Sequence, residues 1–240
     1  MTAPADRRFL RRRRLARIGR LRWLWIGLTV VAVVAALGWV TLASAWLGVD
    51  QVSVSGARSF PAAEVRTSAD VPSGRPLALI DIEGVERRVA RLPRVEQVEV
   101  TRSWPGTIRI AILERTAIAV VEKGGEIHGL DRHGTLFRTF DDAPAKLPKI
   151  VLSARGTRER DALEEVALVV SSLDPKIARR VHRVRVASMD SVELVIRGGD
   201  VVRWGSANQS ARKAQVLESL LKLPASEYDV TAPARPTTRS

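Results

Sequence analysis

The chain has 240 residues, enough for one or two compact domains, and no cysteine, which excludes disulfide scaffolds, thiolate metal sites and cysteine nucleophiles. With 45% hydrophobic and 27% charged residues it is neither a disordered polymer nor a polytopic membrane protein. The net charge of +13 gathers at one end: residues 1–22 hold nine arginines against one aspartate, a net +8, which leaves +5 for the other 218 residues. A basic tail with nothing folded beside it is not a nucleic-acid-binding domain.

That tail, with Arg11, Arg12, Arg13 and Arg14 at its centre, precedes a run from Trp23 to Val49 without one charged side chain. As a helix the run would reach roughly 40 Å, against a hydrocarbon core of about 30 Å. Trp23, Trp25 and Trp46 stand near its ends, where indole rings prefer the membrane interface. Residues 23–47 are therefore predicted to be an uncleaved transmembrane helix, with residues 1–22 held in the cytoplasm by the positive-inside rule. Ala43-Ser44-Ala45 resembles a signal-peptidase site, but a signal core is about 7–15 apolar residues long and this run is longer. The lipid bilayer is thus a predicted partner and the cytoplasmic membrane the predicted location.

Beyond the span, Val52 and Val54 alternate with polar residues in a short strand that stops at Gly56. Ser59 and Pro61 open a helix through about Ala69. Asp81 caps the next helix, whose Ile82, Val85, Val89 and Leu92 share one face, and Pro93 stops it. Val98 and Val100 then alternate into a strand, Trp104-Pro105-Gly106-Thr107 turns the chain, and Ile108, Ile110 and Ile112 alternate back: a hairpin. Trp104 is expected to plug that hairpin, in preference to a partner contact.

The next unit begins near Arg115. Strands over 118–122 and 127–130 flank Lys123-Gly124-Gly125, and Asp131 to Gly134 turns the chain into 135–140. A helix over 158–173 buries Leu163, Val166, Ala167, Val170 and Leu173. Strands at 181–187 and 191–197, a strand ending at Trp204, a helix over 209–223 and a short strand, Tyr228–Thr231, complete the unit. Because strands follow one another in hairpins, the sheet is expected to be mixed and mostly antiparallel. The fold class is therefore α+β, with a β-α-α-β-β unit followed by a β-rich domain with two helices. Lys213 is expected to be exposed on the last helix, and Trp204 is open to two roles, core residue or exposed interface anchor.

Chemistry-bearing patterns are sparse. Asp131-Arg132-His133 reads as a turn rather than a metal site, since no convergent ligands accompany it. No G-x-S-x-G elbow, P-loop or H-E-x-x-H occurs. Asp141-Asp142 and Glu164-Glu165 are adjacent pairs whose side chains diverge. No catalytic residue, metal ligand, cofactor or small-molecule substrate is assigned.

Two stretches carry a resemblance. Leu92-Pro93-Arg94-Val95 leading through Val98-Glu99-Val100-Thr101-Arg102-Ser103-Trp104-Pro105-Gly106-Thr107 to Glu114-Arg115 resembles the end of the polypeptide-transport-associated (POTRA) domain of the FtsQ/DivIB family of bacterial cell-division proteins. Val202-Arg203-Trp204-Gly205-Ser206, then Lys213, Leu217, Leu220 and Leu221, then Tyr228-Asp229-Val230-Thr231-Ala232-Pro233, resembles the family's C-terminal domain, as in its actinobacterial members. The resemblance implies a basic tail (1–22), one span (23–47), a POTRA domain (48–114), a β-domain (115–231) and a disordered tail (232–240). It implies a non-enzymatic divisome scaffold at the division septum, joined to FtsB/DivIC-like and FtsL-like bitopic proteins and through them to septal wall synthesis. In the family the last strand offers an edge for β-strand addition. Mapped here, the partner-binding residues would be Arg203, Trp204, Tyr228, Asp229, Val230 and Thr231, with Pro233 and Pro236 cutting the strand short. The alternatives are another POTRA-bearing extracytoplasmic assembly or transport protein, or a membrane-anchored enzyme, which would need a nucleophile or metal constellation.

Overall fold

A computed structural model of the chain describes residues 23–36, 38–39, 47–153 and 157–240. Residues 23–36 and 38–39 are helical (α1), and every residue of this stretch except Gly38 is exposed. Among the described residues no helix is long and apolar enough to cross a membrane. The predicted span over 23–47 includes residues 37 and 40–46, which lie outside the described ones, as does the basic tail.

The chain forms two compact units. The first takes the residues up to Arg91 together with Val98–Ile112. Its elements are β1 (Gln51–Ser55), α2 (Ala62–Ala69), a 3-10 turn (Leu77–Leu79), α3 (Ile82–Val89), β2 (Val95–Ser103) and β3 (Thr107–Glu114), the β-α-α-β-β order expected. The sheet runs β1-β3-β2, and β1 lies parallel to β3 with Val52 beside Ile108 and Val54 beside Ile110. Period-2 alternation turns Ile108, Ile110 and Ile112 inward, and Val65 and Ala69 of α2 and Val85 and Val89 of α3 are buried with them. Arg88 ties the helices together by donating from Nε and Nη2 to the carbonyl of Ala69 (3.0 and 2.6 Å). The N-cap Asp81 accepts from the amide of Gly84 at 2.9 Å. α3 ends at Val89, and Leu92, assigned to its buried face by periodicity, lies beyond it. Trp104 does not plug the hairpin; it is 58% exposed.

The second unit takes Leu92–Gln97 and Leu113–Ser240. Arg115 explains why a six-residue piece from before the hairpin belongs here. Its backbone amide donates to Arg94 O (2.8 Å), its Nε to Pro93 O (3.1 Å) and its Nη2 to Val95 O (3.0 Å). Its Nη1 pairs with Asp131, which is fully buried. The other oxygen of Asp131 accepts from the amides of His133 (2.9 Å) and Thr135 (2.7 Å), which shapes the predicted turn.

Nine strands follow: β4 (Ala119–Lys123), β5 (Glu126–Leu130), β6 (Leu136–Phe140), β7 (Lys149–Leu152), β8 (Val181–Ser188), β9 (Ser191–Ile196), β10 (Val201–Gly205), β11 (Glu227–Asp229) and β12 (Thr237–Arg239). They form one sheet in the order β12-β11-β10-β9-β8-β7-β4-β5-β6. β4–β7, β7–β8 and β10–β11 pair parallel and the other neighbours antiparallel, a mixed, mostly antiparallel sheet as expected. α4 (Thr157–Ser172) and α6 (Ser210–Leu220) supply Leu163, Val166, Ala167, Val170, Ala214 and Leu217 to the buried cluster that also holds Val184, Leu194, Val202 and Trp204. A short α5 (Pro175–Ala178), capped by Asp174 on Lys176 N (2.7 Å), was not predicted. Residues 237–239, read as part of a disordered tail, are instead paired as β12: Arg235 N donates to Ala232 O (2.9 Å) in a turn that sends the chain back along β11.

Removing one member of a buried pair leaves the other uncompensated, at about 3–5 kcal/mol. Asp131→Ala, which also orphans two amides, is expected to destabilise the second unit by roughly that amount in urea unfolding, and a loss under about 1 kcal/mol would show the pair to be dispensable.

Candidate partner-binding edge

β10 alternates as its sequence dictates. Val202 and Trp204 point inward with no exposed surface, and Arg203 points outward. Trp204 is therefore a core residue and not an exposed interface anchor; its Nε1 donates to Ser210 Oγ at 3.1 Å. Lys213 is not exposed on the helix either. It is 3% exposed, and its Nζ donates to the carbonyls of Trp204 (2.9 Å) and Ser206 (2.8 Å). Burial pulls its pKa below the ordinary lysine value, with the attraction of Glu165 and Asp229 working the other way. The first residue before α6, Gln209, takes a left-handed conformation (φ 57°), which brings the helix sharply back under the strand it has just left.

β11 lies between two strands. On one side it runs parallel to β10, with Val202 beside Tyr228 and Arg203 beside Asp229. On the other it runs antiparallel to β12, with Tyr228 beside Thr238 and Glu227 beside Arg239. Tyr228 is buried and its hydroxyl donates to Leu223 O (2.9 Å). Val230 is buried too, and its amide donates to Arg203 O (3.0 Å). Asp229 Oδ1 accepts from the amide (2.9 Å) and hydroxyl (2.6 Å) of Thr231, which ends the strand one turn before Pro233.

The six residues predicted to bind a partner thus divide. Trp204, Tyr228 and Val230 face the core, so their side chains are out of a partner's reach, and the backbone of Tyr228–Asp229 is occupied on both sides. Arg203, Asp229 and Thr231 lie on the outer face. There Arg203 pairs with Glu227, which also meets Arg239 at 3.6 Å. Surface pairs of this kind contribute about 0–1 kcal/mol and can exchange for pairs with another chain.

The free edge is β12, which sequence reading missed. Thr237-Thr238-Arg239 has strand-compatible β-branched residues, but three residues after two prolines carry too little alternation to register. The sheet's opposite edge is β6, where the Arg138 guanidinium lies 4.3 Å over the Phe140 ring. Elsewhere, a cleft of about 620 Å³ beside β4 and β7 is lined by Lys123, Lys149, Arg183, Glu122 and Glu159. Its charges are partly spent on each other, Lys123 with Glu159 at 2.8 Å and Lys149 with Glu122 at 2.5 Å. Among the described residues no group of three His, Asp or Glu side chains is placed to hold a metal ion.

Residues 119–231 match the family model described as cell division protein FtsQ/DivIB, C-terminal. Over 237 residues the chain is 38% identical to the cell division protein FtsQ of Streptomyces bingchenggensis, covering 93% of this chain and 88% of that one. The chain belongs to the FtsQ/DivIB family. Residues 47–115 match the family's own POTRA model, described as POTRA domain, FtsQ-type. Among other FtsQ/DivIB members, FtsQ of Streptomyces coelicolor is 40% identical over 233 residues (90% of this chain, 88% of that one). FtsQ of Mycolicibacterium smegmatis is 35% identical over 217 residues (90% and 64%).

Two measurements test the burial of this edge's supports. Trp204→Ala is expected to cost about 3–5 kcal/mol of stability, so that any loss of partner binding by this variant tracks unfolding. With its folded pKa lowered, Lys213 binds fewer protons folded than unfolded as the pH approaches the ordinary lysine value of about 10.4, so its contribution to stability rises with pH across that window. Lys213→Met is expected to abolish that rise in unfolding free energy measured from pH 8 to 10; an unchanged slope would place the effect elsewhere.

Proposed function

We propose that this chain is a single-span, non-enzymatic scaffold of the bacterial division machinery that offers β12 as the edge for strand addition by a partner. The observation that carries the reading is the position of β12: it ends a nine-stranded sheet, is exposed along its length and leaves one row of backbone groups open. Family membership sets the setting as cell division. The partners are FtsB/DivIC-like and FtsL-like bitopic proteins, which connect the scaffold to septal wall synthesis. Arg203, Glu227 and Arg239 at the outer face would re-pair with charges of the incoming strand, while Trp204, Tyr228 and Val230 support the edge from beneath.

The membrane reading rests on two features. α1 carries no charged side chain, and all of its described residues except Gly38 are exposed, with Trp23 and Trp39 each 75% exposed. Nine arginines precede it, and Asp50 is the first charged residue after it. Residues 1–22 then form the cytoplasmic tail, 23–47 the span, 48–114 the POTRA domain and 115–231 the β-domain, to which β12 adds the terminal strand. The division septum, on the outer side of the cytoplasmic membrane, is where the folded units would work.

Successive residues of a strand turn their N–H groups to opposite sides, so proline at Thr237 and at Thr238, made one at a time, removes one outward donor and one donor toward β11. One of the two variants is expected to lose capture of the FtsB–FtsL pair while keeping the parent unfolding midpoint. Val230→Pro, by contrast, would break the Val230–Arg203 bond inside the sheet and lower stability. Native capture by both Thr237→Pro and Thr238→Pro would place the partner on another surface.

A further inference from the structure

Outside α1, two large apolar side chains among the described residues of the first unit face water: Trp104, 58% exposed in the β2–β3 turn, and Leu79, 50% exposed at the end of the 3-10 turn. Single exposed hydrophobic residues are ordinary. The segments that carry these two, though far apart in sequence, are tied together. Arg102 donates from Nε to Leu77 O (2.9 Å) and from Nη2 to Ile80 O (2.6 Å), which binds the 77–80 segment to the strand leading into the Trp104 turn.

The Trp104 turn and residues 74–76, which lead directly into the 77–80 segment, clasp residues 48–51. From the Trp104 turn, Gly106 O accepts from Asp50 N (2.8 Å) and Gln51 N (3.3 Å). The approach is close: a Cβ at Gly106 would lie 2.7 Å from Gly48 O. From the other segment, Arg75 O accepts from Val49 N and Gly74 N donates to Val49 O, both at 2.9 Å, and Gly48 pairs with Pro76. Residues 48–51 straddle the end of the uncharged run from Trp23 to Val49. On the single-span reading proposed above, they are where the chain leaves the bilayer. The clasp then holds the Trp104 turn and the segment leading to Leu79 near that depth, with the exposed Arg75 a member of the clasp itself.

We infer that the Trp104 turn and Leu79 seat the first unit on the outer face of the bilayer that holds α1, the occupant of this apolar surface being the lipid interface itself. The indole ring suits the headgroup boundary, with its apolar body in the upper acyl region and its N–H in the wet layer. Leu79 adds apolar area, and the Arg75 guanidinium can pair with lipid phosphate. The anchoring fixes the tilt of the unit against the membrane and removes the free swivel that a single exit strand would otherwise allow.

The absence of cysteine makes single-site nitroxide labelling direct. The full-length chain would be placed in nanodiscs of phosphatidylcholine and phosphatidylglycerol with a label at Ser73→Cys, beside the clasp, or at Val31→Cys in α1. Collision with oxygen, which concentrates in lipid, would be compared with collision with a water-soluble nickel chelate. The Val31 label is expected to report lipid. The Ser73 label is expected to show an oxygen-to-nickel ratio several-fold above its value in a Trp104→Ser/Leu79→Ser background, with the Val31 ratio unchanged. Equal ratios at Ser73 in both backgrounds, with Val31 still in lipid, would overturn the docking alone. Spin–spin broadening between Ser73 labels would name a second copy of the chain as the occupant and overturn it too. A Val31 label in water would instead overturn the single-span reading, and the docking with it.

Discussion

Lys213 brings a positive charge to a place that water does not reach, and the sheet edge depends on how that charge is met. Two carbonyls at the end of β10, those of Trp204 and Ser206, accept from its ammonium, while Glu165 and Asp229 lend attraction from further off. The bonds fasten α6 to the strand it follows. That fastening returns the chain so that β11 can pair parallel with β10, since parallel neighbours need a crossover. β12 in turn has only β11 to lean on. A lysine that leaves solvent costs stability unless its protons are shared out, and here the sharing is what orders the end of the fold.

Asp131 performs a comparable task near the start of the second unit. A single carboxylate meets the Arg115 guanidinium and two amides of its own turn, and Arg115 uses its remaining donors on the carbonyls of Pro93 and Val95. Both sites put a charge where it is satisfied by backbone groups rather than by one opposite charge alone. Such arrangements specify conformation: the strands they touch have few other ways to satisfy the buried group. The outer face of β10, β11 and β12, in contrast, carries charges that pair at the surface, where pairs are cheap to exchange.

Most of the architecture was legible because periodicity carries it. Ile108, Ile110 and Ile112 announce a strand with one buried face, and Leu163, Val166, Ala167, Val170 and Leu173 a helix with one. The same alternation, applied to Val202 and Trp204, points the indole inward; residue type alone leaves it open to exposure, and position in the strand decides. The burial of Lys213 is hidden from the sequence for a related reason. A lysine on an amphipathic helix is ordinarily solvated, and only the left-handed turn at Gln209 and the carbonyls waiting at the strand end make burial the better state. α5 and β12 are too short for pattern to reveal; one exists through the Asp174–Pro175 cap and the other through a turn after Thr231 that returns the chain to its neighbour.

A strand of three residues sets a ceiling on what it can hold by itself. Its outer side can exchange only two or three backbone bonds with an incoming segment, at a net of about 0.5–1.5 kcal/mol each. That sum sits near or below the roughly 4 kcal/mol of a millimolar complex. Two molecules rooted in the same sheet of lipid, however, meet at an effective concentration that free diffusion in a large volume does not supply. If β12 receives the partner as proposed, its brevity would make confinement to a common membrane plane a working part of recognition, and a soluble fragment bearing the same strand sequence would compete poorly.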